Sequence, residues 1–176
     1  MNLLRRSGPQ LALLILGMLG VADAIYLTLA HYDDQVPLVC SDSGFVNCSR
    51  VITSQYSYVP GTSLPITWPG LGWCLAVVAL ALLGIFLGTE RRWLRVTQFV
   101  WAALGLLTVF YLLYAEIVKL DNLCAWCTVL HALIVIIFLI TLTQLRGHRQ
   151  DDDYDEEIEL GDESDIVAIS EPGRMN

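Results

Sequence analysis

Four stretches of the chain are almost entirely apolar, and each is long enough to cross a bilayer as a helix. They cover residues 10–30, 70–87, 96–116 and 123–145. A transmembrane helix needs about 20 apolar residues to span roughly 30 Å of hydrocarbon. Each stretch is apolar on all sides rather than along one stripe, as expected of helices that contact lipid. The pattern predicts an all-α integral membrane protein, a bundle of four transmembrane helices.

The first stretch has a second interpretation as a cleaved signal peptide. Arg5 and Arg6 precede it, and Ala22-Asp23-Ala24 resembles a small-residue cleavage site. The apolar run continues beyond that site, however, through Ile25, Tyr26, Leu27 and Leu29. We therefore expect the segment to be retained as the first helix.

Basic residues are distributed unevenly around these stretches. Two of them, Arg50 and Lys119, lie on one side of the predicted membrane. Seven lie on the side of the two termini, namely Arg5, Arg6, Arg91, Arg92, Arg95, Arg146 and Arg149. Short loops rich in Lys and Arg stay in the cytoplasm. We therefore expect a multi-pass protein of the inner (cytoplasmic) membrane with both termini cytoplasmic, an outer loop over residues 31–69 and an outer turn over residues 117–122.

Composition agrees with a membrane protein and shows where the acidic charge lies. Hydrophobic residues make up 55% of the 176 residues, and eleven of the eighteen acidic residues follow Gln150. A segment this acidic without an apolar period is expected to be disordered. We therefore expect a four-helix transmembrane domain (1–149) and an acidic, disordered cytoplasmic tail (150–176). It has no basic patch outside the membrane flanks, so nucleic-acid binding has no support.

Four of the five cysteines are predicted to lie on the outer, oxidising face. Cys40 and Cys48 are in the outer loop, and Cys124 and Cys127 form a C-x-x-C pair where the fourth stretch leaves the outer surface. Four thiolates could hold structural zinc. On an oxidising face, two dithiol pairs are more stable as disulfides that exchange by thiolate attack, so we expect no metal. Cys74, inside the second stretch, is expected to be a small buried hydrophobe.

The C-x-x-C pair opens the fourth helix. We expect Asn122 to cap this helix, so that Cys124 lies in the first turn, where free N–H groups and the helix dipole favour a thiolate. Cys127 and His131 continue the same face into the membrane. An ionisable side chain inside a span is a functional hypothesis by default, and a histidine that only bonds a neighbouring helix is the alternative. Asp23 raises the same question more weakly, since it could lie close enough to the surface to be hydrated.

The outer loop is too long for a simple connection and is rich in turn formers and aromatic residues. We expect it to fold over the mouth of the bundle, with a short interfacial helix over residues 51–58. The alternative is a solvated loop braced by one disulfide. Two dithiols in series beside the bundle mouth suggest a path for electrons, and such a path requires a lipid-soluble acceptor, most simply a quinone.

Two motifs and the order of the four helices resemble the bacterial branch of the vitamin K epoxide reductase family. The motifs are Cys40-x7-Cys48-Ser49-Arg50-Val51-Ile52-Thr53-Ser54 and Cys124-Ala125-Trp126-Cys127. The resemblance covers residues 17–145. It implies a four-helix bundle around a quinone, capped by the outer loop.

The resemblance also implies a separate role for each cysteine. Cys40 resembles the outermost cysteine, which meets the protein partner, and Cys48 resembles its mate, which shuttles to the helix pair. Cys124 looks like the C-x-x-C member that exchanges with Cys48. Cys127 is then the cysteine beside the quinone.

Two further residues match quinone-binding positions of the family. Ser54, six residues after Cys48, matches the family serine near the quinone ring. His131 falls where animal members carry a tyrosine that bonds the quinone carbonyl. Histidine can also donate a hydrogen bond, so the same role is expected of it.

The function implied by the resemblance is that of a quinone-dependent thiol oxidase that generates disulfides for exported proteins, with a quinone of the menaquinone or ubiquinone type. Many bacterial members carry a fused thioredoxin-like domain where this chain has its acidic tail. A stand-alone form is therefore expected, with a separate thioredoxin-fold thiol oxidase outside the cytoplasm as partner. A non-catalytic tetraspan scaffold with a structural loop disulfide, and a quinone epoxide reductase, stay open as alternatives.

Overall fold

The computed structural model describes residues 2–33, 36, 39–40, 44–87 and 91–146. In chain order its helices are α1 (Asn2–Tyr32), α2 (Cys48–Ile52), α3 (Thr67–Leu87), α4 (Arg92–Tyr114) and α5 (Ala125–Arg146). A π-helical turn over Ala115–Leu120 continues α4. The predicted acidic tail lies outside the described residues.

Four helical segments within the described ranges are long and apolar enough to cross a membrane. Their mean hydropathies lie between 1.8 and 2.5, and they cover Gly8–Tyr32, Thr67–Leu87, Arg92–Leu120 and Ala125–Arg146. The predicted all-α membrane bundle is thereby confirmed. Its outer surface is apolar, with Phe86, Leu107 and Phe110 among its most exposed side chains. This is the surface that hydrocarbon requires of a span.

The third span is longer than the sequence predicts. We expected it to end at Glu116 and an outer turn to follow, but the helix continues to Leu120 through the π-helical turn. The chain then reverses at Asp121, whose φ of 51° is left-handed, a conformation that aspartate tolerates better than most residues. Charged Glu116 and Lys119 made this segment look like a loop. Glu116 therefore lies inside the span.

Helices α1 and α3 pack closely because glycine faces α3 at two positions of α1. A Cβ atom at Gly17 would lie 2.8 Å from Cγ2 of Val78, and one at Gly20 would lie 2.9 Å from Sγ of Cys74. Small residues allow the backbones of transmembrane helices to approach each other and gain van der Waals contact. This seam fixes one wall of the bundle.

A cluster of three glutamine side chains joins the helices at the end of the bundle far from the C-x-x-C pair. The Gln10 amide donates to Oε1 of Gln98 (3.2 Å) and to Oε1 of Gln144 (2.9 Å), and the Gln98 amide donates back to Gln10 (2.9 Å). Gln98 also donates to the carbonyl of Leu80 (3.0 Å). This amide cluster links α1, α3, α4 and α5, and its hydrogen bonds satisfy polar groups that apolar surroundings would otherwise leave unpaired.

The outer loop folds over the mouth of the bundle, as expected. Its helical part differs in extent from the single helix predicted over residues 51–58. It consists of α2 and a separate 3-10 turn over Gln55–Ser57. Cys48, Val51 and Ile52 of α2 are buried against the bundle, so the loop is a packed cap and not a solvated connection.

Candidate active site

The outer cysteine pair is joined as a disulfide. The Cys40 and Cys48 sulfurs are 2.02 Å apart, and the Cα atoms are 6.0 Å apart. Cys48 is the first residue of α2, and Oδ1 of Asn47 caps that helix by accepting the Arg50 N–H at 2.9 Å. Because these two cysteines are bonded to each other, they do not offer the thiolates that the zinc alternative needs. No group of three or more potential metal ligands occurs within the described part of the chain.

A single parallel bridge between the outer loop and the start of α5 brings the two cysteine pairs together. The Leu123 N–H donates to the Phe45 carbonyl (2.9 Å), and the Asn47 N–H donates to the Leu123 carbonyl (3.0 Å). Cys48 and Cys124 follow these bridged positions, and both belong to one cluster of buried residues in which each is fully buried. The inner sulfur of the loop disulfide thus lies in the same apolar cluster as the first C-x-x-C cysteine.

Cys124, and not Asn122, caps α5. The helix begins at Ala125, and Sγ of Cys124 accepts the Cys127 N–H at 3.3 Å. The Asn122 amide, which we expected to cap the helix, donates to the Leu120 carbonyl at 2.7 Å instead. The prediction placed the cap two residues too early. It relied on residue type, since Asn is a stronger capping residue than Cys. The backbone before Cys124 is already engaged in the bridge to the outer loop.

Cap geometry lowers the pKa of the Cys124 thiol. The main cause is the hydrogen bond that the Cys127 thiol donates to the Cys124 sulfur, and the N–H groups of Cys127 and Trp126 add to it. Burial and the Glu116 carboxylate act in the opposite direction without reversing the shift. A thiolate at a helix N-terminus is both a better stabilised anion and a better leaving group in disulfide exchange.

Directly behind the C-x-x-C pair lies an apolar cavity of about 440 Å³. This volume is within the usual range for small-molecule sites. Trp73 and Trp101 line it and hold each other in place, since Nε1 of Trp73 donates to the Trp101 carbonyl (3.1 Å) and Nε1 of Trp101 donates to the Trp73 carbonyl (3.3 Å). Gly105 lies against the Trp73 ring, where there is no room for a larger residue. The cavity therefore has rigid aromatic walls.

The predicted site residues are distributed between this cavity and the cluster above it. Cys127, His131 and Ser54 line the cavity, whereas Cys48 and Cys124 do not. Among the residues described, Nδ1 of buried His131 has no hydrogen-bond partner. The Ser54 hydroxyl already donates to the Val51 carbonyl at 2.8 Å. Of the two predicted quinone-binding residues, His131 therefore has unused hydrogen-bonding capacity, and Ser54 is available mainly as an acceptor.

Glu116 lines the same cavity and was missed in the sequence. Its carboxylate accepts a hydrogen bond from the Cys124 N–H, while its Oε2 is buried and has no partner within the described residues. The signal was available, because an acidic side chain in an apolar run raises the same question as His131. We had read it as the end of the span.

His31, Asp23 and Cys74 complete the surroundings. His31 also lines the cavity, and its Nδ1 lies 3.1 Å from the Ile52 carbonyl. Asp23 is buried rather than hydrated, and neither carboxylate oxygen has a partner in the described part of the chain. Cys74 is buried, as expected, but it lies on the cavity wall.

The fold and the site together define a helical membrane protein with a disulfide and a C-x-x-C pair beside an internal cavity. The model of the vitamin K epoxide reductase family matches residues 11–142, and the chain belongs to this family. Membership identifies it as an oxidoreductase and indicates a quinone-linked redox function. A comparison with curated proteins finds no match.

Proposed function

We propose that the protein is a quinone-dependent thiol oxidase that generates disulfides for exported proteins. Electrons enter from a thioredoxin-fold partner outside the cytoplasm at Cys40 and Cys48, pass to Cys124 and Cys127, and leave to a membrane quinone of the menaquinone or ubiquinone type. One observation carries the proposal. Cys124 is buried in the same cluster as Cys48, while Cys127 lines the cavity, so the C-x-x-C pair connects the loop disulfide to the ligand site.

The cavity suits a quinone on grounds of shape and polarity. Its walls are apolar and aromatic, its volume accommodates a ring with part of an isoprenoid chain, and the unpartnered His131 ring offers a hydrogen bond to a carbonyl oxygen. When bound, a quinone supplies a two-electron acceptor. In this proposal His131 donates to one quinone oxygen, the Ser54 hydroxyl turns from the Val51 carbonyl to donate to the other, and Cys127 is the reacting thiol beside the ring.

We assign the exchange between the two pairs to Cys48 and Cys124, because these are the two cysteines that are fully buried in one cluster. Cys48 thiolate attacks the Cys124 sulfur of an oxidised C-x-x-C pair, which releases Cys127. Cys40 then attacks Cys48, reforming the loop disulfide and releasing Cys124. The lowered pKa of Cys124 favours this second step because thiols of low pKa leave faster.

The proposed site faces outwards across the inner (cytoplasmic) membrane. Basic residues beside the spans favour cytoplasmic termini. The cap and both cysteine pairs then lie on the outer side, where exported proteins fold and where disulfides persist.

The proposal is tested by titrating thiols in purified protein, first reduced with a dithiol and freed of reductant, with and without added quinone. We expect excess quinone to remove four thiols, assigned by mass spectrometry to the disulfides Cys40–Cys48 and Cys124–Cys127. A scaffold with a purely structural disulfide predicts the same thiol count in both samples, and that result would refute the assignment.

Replacing His131 with alanine is expected to weaken quinone binding about fivefold, because one hydrogen bond contributes about 1 kcal/mol. Exchange between the two cysteine pairs should be unaffected. Quenching of the cavity tryptophans by added quinone measures the affinity. Unchanged affinity in the variant would mean that His131 serves only the packing of α5.

A further inference from the structure

Glu116 holds a position that packing alone does not explain. Its backbone carbonyl accepts N–H groups from Asp121 and Asn122, and its carboxylate accepts the Cys124 N–H. The residue thus ties the end of α4 to the start of α5. Its second carboxylate oxygen remains buried and unpartnered within the described residues, in the wall of the cavity that Cys127 also lines. Leaving such an oxygen unpaired is costly, which suggests that it has a partner during the reaction.

The chemistry of the site requires a carrier for protons as well as electrons. Oxidation of two thiols by a quinone breaks two S–H bonds and forms one S–S bond, and two electrons and two protons pass to the quinone oxygens. The cavity is apolar and the outer loop contributes part of its wall, so bulk water is a poor acceptor there. A side chain in the cavity wall that receives the Cys127 proton and passes it on removes the need for water.

Titratable side chains reach the surroundings of Cys127 from every span. They are Cys124 before α5, His131 on α5, Asp23 and His31 on α1, Cys74 on α3, Glu116 after α4 and Tyr56 in the outer loop. Two of them are carboxylates, Glu116 and Asp23, and both act electrostatically on the Cys127 thiol. Of these two, Glu116 lines the cavity and Asp23 does not, so Glu116 is the carboxylate that can exchange a proton with a ligand there.

We propose that Glu116 is the proton carrier of this site, taking the proton from the Cys127 thiol and delivering it to the nearer quinone oxygen. The inference rests on the proposed function. Cys127 loses its proton to the free oxygen of Glu116 and becomes the thiolate that gives up electrons. Cys124 forms the S–S bond with Cys127, and its own proton goes to the second quinone oxygen. The π-helical turn is what aims Glu116 inwards, a use that such turns often have at functional sites.

Glu116→Gln separates this role from a structural one. Glutamine keeps an oxygen that can accept the Cys124 N–H but cannot take up a proton. In stopped-flow mixing of prereduced protein with a short-chain benzoquinone, we expect quinol formation to slow by about 100-fold, a typical contribution of general acid–base catalysis. Glu116→Asp keeps a proton carrier and should recover most of the lost rate.

Asp23→Asn is the matched control. Asp23 is the other buried carboxylate near Cys127, but it lies outside the cavity. We expect it to change the rate about twofold at most. Quinone affinity, measured by tryptophan quenching in the oxidised protein, should stay within about twofold of wild type in Glu116→Gln.

Four outcomes would overturn the inference: a wild-type rate in Glu116→Gln, an equal loss in Asp23→Asn, an equal loss in Glu116→Asp, or a loss of rate matched by a loss of affinity. Wild-type protein serves as the reference in the same assay. If it does not reduce quinone at all, the proposed function fails, and that result is distinct from any difference between the variants.

Discussion

Replacing Cys127 with alanine is expected to abolish quinone reduction by a reduced dithiol substrate. Cys127 is the C-x-x-C member that lines the cavity, and Cys124, the other member, does not line it. With it removed, electrons that arrive at Cys124 have no exit. The measurement is steady-state quinol formation by the purified variant in lipid nanodiscs, and turnover at the wild-type rate would refute the assignment.

Replacing Cys40 with alanine should reveal the route taken by the electrons. Without Cys40, no loop thiol can resolve the mixed disulfide that forms when the Cys48 thiolate attacks an oxidised C-x-x-C pair. We therefore expect a Cys48–Cys124 disulfide to accumulate with Cys127 as a free thiol, detected by non-reducing peptide mapping. A trapped bond between Cys48 and Cys127 would contradict the proposed order of exchange.

Cys74→Ala is the matched control for the loss of quinol formation in Cys127→Ala. Cys74 is also a buried free cysteine on the cavity wall, but it lies on α3 and outside the C-x-x-C pair. We expect a change of a few-fold at most in quinol formation. Complete loss of turnover in this variant would show that any damaged thiol in the cavity stops the reaction.

Replacing Gly105 with alanine is expected to destabilise the bundle by about 2 kcal/mol. The added Cβ would lie 2.5 Å from Cζ2 of Trp73, whose ring is held by its hydrogen bond to Trp101 and cannot rotate away freely. Overpacking of this kind costs about 1–3 kcal/mol, and the better helix propensity of alanine returns about 1 kcal/mol at most. We expect a lower midpoint of thermal unfolding and weaker quinone binding, because both tryptophans form the cavity wall.

Gly72→Ala provides the comparison for this change in stability. Gly72 also lines the cavity, but a Cβ there would meet nothing within 4 Å. Only the gain in helix propensity then applies, so the unfolding midpoint should be unchanged or slightly raised. A midpoint that falls equally in both variants would show that contact with Trp73 is not the cause.

The spans could be predicted from sequence because hydrocarbon imposes one simple requirement, about 20 apolar residues in a row. The positions of Cys127 and His131 on one face followed from helical periodicity alone. Both lie in the wall of the same cavity. Features of this kind depend on one helix and its solvent, and a single sequence contains enough information for them.

Contacts between segments distant in the sequence were not predictable in the same way. The bridge between Val46 and Leu123 involves one residue pair and leaves no periodic pattern. The assignment of the α5 cap to Asn122 failed for the same reason, since the bridge that displaces the cap comes from the distant outer loop. Glu116 was missed because its charge, close to Lys119, was read as the end of the span, whereas the π-helical turn carries the helix on to Leu120. The chemistry was readable from residue types, but the arrangement of its parts depended on tertiary contacts.

The amide cluster at the inner end of the bundle determines by which route a lipid-soluble molecule can reach the cavity. Separating the helices there would expose Gln10, Gln98 and Gln144 to hydrocarbon. Each hydrogen bond lost would leave an unpaired polar group, at a cost of about 1–3 kcal/mol. At the level of the cavity the helices are held by apolar contacts, which lipid chains can replace at little cost. We therefore expect the helices to stay together at this end of the bundle, so that the easier opening for a lipid-soluble molecule lies between helices at the level of the cavity.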